Sequence, residues 1–277
     1  MIPHSLHRTA FSLTSAGLFA VFAGACSSSS ASPSPAADAG GTPPGAGTPA
    51  PVDAAVADVA AAPLEYAALV RGKLASADLG AAKAAHDQIA AGGEPSAKAA
   101  GNFAHNPLLG TTLLDSVENE FLSVDRWSDK TAMEAFYDDP NVQQAFGGLF
   151  AAPPSVQFFV YAPSWVGWGD LTSGKGSSPW YAHLALGVLK DTDTAKNKAA
   201  HDAVASGGKD PSIAAGNLAH VVFLGLHDER QFVAVDIWGK SDSIQAFYTN
   251  PQFVAAFGPL FESVTQPVYH STDWHQW

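Results

Sequence analysis

A histidine and an aspartate recur together in this chain, His105 with Asp125 and His220 with Asp236. A carboxylate beside an imidazole fixes its tautomer and raises its basicity, as a general base or a metal-bound histidine requires. The competing reading is a buried, hydrogen-bonded pair that helps to fix strand register. Trp127 and Trp238 follow the aspartates by two residues and share their strand face. Asn102 and Asn217 stand three residues before the histidines. The expected catalytic set is therefore His105, His220, Asp125 and Asp236. Asn102, Asn217, Trp127 and Trp238 are the candidate contacts to a small apolar or aromatic ligand. Side chains alternate along a strand, so a one-residue slip would put each histidine and its aspartate on opposite faces.

These residues sit in a stretch written twice. Ala85–Gly110 returns as Ala200–Gly225, with about 14 of 26 positions identical. The second copy has the cleaner pattern. Trp180–Lys190 predicts a strand. Asp193–Gly208 predicts a helix capped by Asp193 or Thr194 and stopped by the glycine pair. Asn217–Leu226 and Gln231–Gly239 predict strands joined by a turn at His227–Arg230. Lys240–Phe261 predicts a helix interrupted near Pro251, and Ser263–Trp274 a closing strand with an edge or bulge at Pro267. The first copy repeats the order, with a hairpin four residues longer between its middle strands. The order β-α-β-β-α-β is the ferredoxin-like unit. Both faces of Phe232–Trp238 are largely apolar, so both should be buried. The expected fold is α+β, with two tandem repeats packing sheet to sheet as one barrel and the helices outside.

The order, the doubling and the D-x-W strand before an "FY…P…AFG.LF" helix resemble the dimeric α/β barrel superfamily, and within it the antibiotic biosynthesis monooxygenase-type domain. The resemblance covers about residues 64–277. It implies that the second copy replaces the usual dimer partner, so a monomeric body is expected. It also implies a cofactor-free monooxygenase acting on a small apolar or aromatic molecule held between the repeats. Relatives use asparagine, tryptophan and sometimes histidine in their pockets. Haem bound through His105 or His220, or a non-catalytic envelope protein, are the alternatives.

Other repeated residues read as structure. Gly101-Asn102 and Gly216-Asn217 suit a turn, because both types tolerate positive φ. His86 and His201 lie at the core edge of the first helix, and Asp87 and Asp202 point elsewhere, to solvent or a neighbouring loop. Phe136-Tyr137, Phe247-Tyr248, Phe146 and Phe257 have core spacing. Trp165-x-x-Trp168 and Trp274-x-x-Trp277 should pack on the barrel mouth or the other repeat. His270, Asp273 and His275 fit no strong zinc pattern, and no metal is expected.

The amino-terminal quarter has another character. Residues 1–25 read as an export signal: a short basic start, then the apolar run Ala10–Ala25. Cys26, the only cysteine, follows small residues and resembles a bacterial lipobox, with Ala23 where leucine is usual. The resemblance implies lipidation at Cys26. Ser27 suits an outer-membrane or periplasmic destination. Residues 26–63, rich in Ser, Ala, Pro and Gly, read as a disordered tether. The expected domains are repeat 1 over 64–168, a linker over 169–179 and repeat 2 over 180–277. A formal charge of −12 makes nucleic acid a poor partner. Membrane contact is expected through the lipid alone.

Overall fold

The computed structural model describes residues 64–176 and 179–277. The signal segment, Cys26 and the tether lie outside the described residues. The first half comprises β1 (Tyr66–Lys73), α1 (Leu79–Ala99), β2 (Asn102–Leu114), β3 (Glu120–Trp127), α2 (Lys130–Asp138), α3 (Pro140–Gly147) and β4 (Ser155–Tyr161). The second half returns to that order with β5 (Tyr181–Leu189), α4 (Thr194–Ala215), β6 (Asn217–Gly225), β7 (Gln231–Trp238), α5 (Asp242–Tyr248) and α6 (Pro251–Phe257). Its last strand is broken into β8 (Phe261–Thr265) and β9 (Pro267–Ser271).

The strands close one antiparallel barrel. Around it run β4, β1, β3, β2, β9, β5, β7 and β6, and β6 pairs again with β4. Two seams join the halves, β4 to β6 and β2 to β9. Pro267 has no N–H to give a ladder, and the closing strand breaks beside it. The longer first hairpin braces the break. Asp115 accepts the Gln266 N–H at 2.7 Å, and the Ser116 hydroxyl accepts the Val268 N–H at 2.7 Å.

Strand parity fixes what lies inside. Leu122 and Val124 of β3 point inward, where they meet Leu69, Phe159, Val233 and Ile237. Leu171, from the segment between the halves, enters the same cluster. A residual void of 10 Å³ remains there, no larger than one water needs. The expectation that ligand binds inside the barrel, between the two halves, is therefore corrected. The interior is largely packed apolar side chain, and the His–Asp pairs lie on the opposite face of their strands.

The helices also differ from expectation. Neither α1 nor α4 stops at its glycine pair. Both run on through Pro95 and Pro211. Their starts are as predicted: Asp78 and Asp193 cap them, each accepting two backbone N–H groups. The stops are Gly101 and Gly216, at φ +101° and +105°, where glycine avoids a Cβ clash. A Cβ added at Gly92 or Gly93 would meet nothing within 4 Å. These glycines border open space, and that space is the candidate site.

Candidate functional site

His105 lies directly opposite Asp125, and His220 directly opposite Asp236. The register is the favourable one, and it faces the helices. A β-bulge at Phe103, and its equivalent at Leu218, shifts the pairing after Asn102 and Asn217. In a regular strand the three-residue spacing would point Asn102 and His105 to opposite faces. With it they share one face with Asp125 and Trp127.

The two halves build the same polar chain. His105 Nδ1 is 2.6 Å from Asp125 Oδ1, and its Nε2 is 3.1 Å from Nε2 of His86. His86 Nδ1 in turn is 3.1 Å from Asp87 Oδ1. In the second half His220 is 2.6 Å from Asp236 and 3.1 Å from His201, which is 3.1 Å from Asp202. A nitrogen facing a carboxylate must carry a proton, and two facing nitrogens must share one. The pair His86 and His105 thus shares a proton between its facing nitrogens, between two carboxylates. Burial is the largest influence on His86 and lowers its pKa to about 4. His86 is therefore the neutral acceptor of the pair. His201 is likewise lowered to about 4 by burial and then by His220.

Each aspartate takes further donors. Tyr137 donates its hydroxyl to Asp125, with Ser123 Oγ at 3.2 Å. Tyr248 donates to Asp236 at 2.8 Å. Burial, then the aspartate charge, push both tyrosines well above their usual pKa, so they act as donors. Asp236 also receives His183 Nδ1 at 3.1 Å. Burial alone would raise Asp236, but the charge and hydrogen bonds of His220 and His183 outweigh it and hold its pKa low.

The closing tryptophans cross over. Trp277, from the second half, stacks on His105 of the first at 4.7 Å and donates its indole N–H to Asn102 Oδ1 at 2.6 Å. Trp168, from the first half, stacks on His220 at 4.8 Å and donates to Asn217 at 2.8 Å. Trp274 and Trp165 lie 5.0 Å from His86 and His201. The backbone N–H after each first tryptophan, at His275 and Val166, donates to Asp87 and Asp202 at 2.7 and 2.8 Å. A tryptophan face stacked on an imidazole is a favourable aromatic arrangement.

Beneath α1, α2 and α3 lies a chamber of 600 Å³. Ile89, Phe136 and Phe146 form its apolar wall, and Asn102, His105 and Trp277 its polar end. Trp127, also in its wall, is fully buried. The corresponding space in the second half, beside His220, Asn217 and Trp168, is 40 Å³.

Sequence reading placed His105, Asp125, Asn102 and Trp127, and His220, Asp236, Asn217 and Trp238, on the right strands, and the structure brings each four together. It set His86, His201, Tyr137 and Tyr248 apart as core residues, whereas they complete the polar chain. His183 was missed altogether. Its signal was a break in the repeat, since Ala68 stands at the matching position of β1. His275 pairs with Glu94 at 2.8 Å. Among the described residues no cluster of three or more histidines, cysteines or acids has metal-binding geometry. Haem ligation by His105 or His220 does not fit this donor set, because both ring nitrogens of each are already engaged.

No protein-family model matches the sequence, and no curated protein is significantly similar to it. Solved structures resemble the fold. An anthrone oxidase-like protein matches with a TM-score of 0.53 at 15% identity, over 77% of this chain and 92% of its own. A Fusobacterium nucleatum protein, provisionally named a monooxygenase, matches at 0.52 with 6% identity, over 76% and 95%. A chlorite dismutase from Candidatus Nitrospira defluvii matches at 0.50 with 10% identity, over 75% and 91%. These likenesses show the fold alone: a mixed α+β protein built on one closed antiparallel barrel.

Proposed function

We propose that this chain binds a small, planar, largely apolar molecule in the chamber under α1–α3 and oxidises it with dioxygen, without a metal or flavin. The chamber itself carries the reading: 600 Å³, aromatic on its walls and polar at one end, as a small-molecule site requires. A ring methylene and dioxygen would become a carbonyl and water, so the substrate supplies all the electrons. The protein excludes water, orients the ring and takes a proton from the methylene. His105 is the candidate base. It borders the chamber, and its Nε2 can act once the proton shared with His86 has been lost to solvent.

Anthrone is the substrate to try. The purified protein should convert it to anthraquinone faster than buffer does, with one oxygen atom drawn from isotope-labelled dioxygen. His105→Gln should slow this by roughly 10²-fold, the usual worth of a positioned base. Unchanged turnover in that variant would remove His105 from the mechanism. A second reading, a carrier that binds without turnover, is favoured by the engagement of both His105 nitrogens. It predicts anthrone binding with no acceleration of oxidation.

The doubled element order supports a wider reading. The halves are tandem ferredoxin-like repeats; separately, the apolar run and small residues before Cys26 support an exported protein anchored in the bacterial envelope by lipid on Cys26. Radiolabelled palmitate should mark the wild-type chain and not Cys26→Ala.

A further inference from the structure

The two halves share their polar chain but not their space, 600 Å³ against 40 Å³. The difference lies in the short helix after the tyrosine. The third residue of α3 is Val142, and the third residue of α6 is Phe253. Phe253 packs at 5.1 Å from Phe247, 5.2 Å from Tyr248 and 5.0 Å from Phe257. This aromatic clasp draws α6 down until Phe257 is buried, whereas α3 buries none of its residues. Valine is too short to make that clasp, and the space beneath α3 stays open.

A second difference points the same way. In the second half His183 fills the position of Ala68 and stacks on Tyr248 at 3.5 Å. It gives Asp236 another imidazole and packs the layer behind Tyr248. In the first half Ala68 supplies neither the bond nor the stack.

We infer that the two halves are specialised: the first receives ligand, and Phe253 seals the second, which serves as scaffold and as donor of Trp274 and Trp277 to the first. This rests on the chamber reading above, and Val142 and Phe253 are its specificity-determining pair. Each chain then binds one ligand.

The test is a binding stoichiometry with 1-aminoanthracene, a neutral planar fluorophore, on the full chain, with circular dichroism to confirm folding of each variant. The wild type should bind one molecule per chain and quench tryptophan emission by energy transfer, a quench that Trp277→Phe reduces. Val142→Phe, which copies the seal into the first half, should bind none. Phe253→Val should bind two. Two probes on the wild type, or one on Phe253→Val, would overturn the seal while leaving the chamber reading intact. No binding by the wild type would overturn the chamber reading itself, and one probe retained by Val142→Phe would place the bound molecule elsewhere.

Discussion

At the residue scale, the shared proton sets the chemistry and the acid response. His86 and His201 are held near pKa 4 from an ordinary 6.5. Below pH 6.5 the unfolded chain takes up protons that the folded chain refuses. Their contribution is therefore complete above pH 6.5 and is lost as pH falls toward 4. Each shift corresponds to about 3 kcal/mol. Urea unfolding at pH 7 and pH 4.5 should show a marked loss of stability. The loss should be much smaller in the double variant His86→Gln, His201→Gln, where nothing titrates at these positions; an unchanged slope would count against the assignment. Asp125→Ala should be more damaging at neutral pH, because it leaves the buried His105 and Tyr137 donors without their acceptor. Loss of one partner of such a pair costs about 3–5 kcal/mol, readable as a large drop in the urea midpoint. These effects were only partly legible in the sequence. The His–Asp spacing within a hairpin was visible, because it depends on local register. The His–His contact was not, because it depends on how α1 docks on β2.

At the element scale, two small irregularities position everything. The bulges at Phe103 and Leu218 turn an asparagine and a histidine of mixed parity onto one face. The W-x-x-W segments after β4 and β9 then cover the other half's site. Trp277→Ala should weaken binding in the first chamber although the residue follows the second half's last strand. It leaves the Asn102 carboxamide oxygen without its indole donor and bares one face of His105. A loss of about 1–3 kcal/mol in binding is expected, checked by titration with 1-aminoanthracene against Trp168→Ala, which should change little. Strand order and helix starts were readable from periodicity and capping. The helix ends were misread, because glycine pairs usually stop helices. Here their missing side chains border the chamber, while the positive-φ glycines eight or nine residues later do the stopping.

At the scale of the whole molecule, closure of the barrel is intramolecular, through the β4–β6 and β2–β9 seams. Among the described residues no long edge strand is left to recruit a second copy. Light scattering at micromolar concentration should report a monomer, and an obligate dimer would contradict this. Because each half lends tryptophans to the other, the halves should unfold in one transition. Calorimetry should give a single peak, and two resolved peaks would show that the exchanged segments contribute little. The doubled sequence made the barrel legible. It could not show which side of the sheet holds the site, since apolar residues occupy both faces and only the packed interior decides between them.

The exchanged tryptophan segments also bear on inheritance. When a sequence is duplicated, one copy is ordinarily released from selection and drifts as a unit. Here that release is divided. The sealed half can lose its cavity to Phe253 at no cost to binding, yet Trp274 and Trp277 remain answerable to the open half's site. Change can accumulate at the centre of the second copy while its last few residues stay under the constraint of a function performed elsewhere in the same chain.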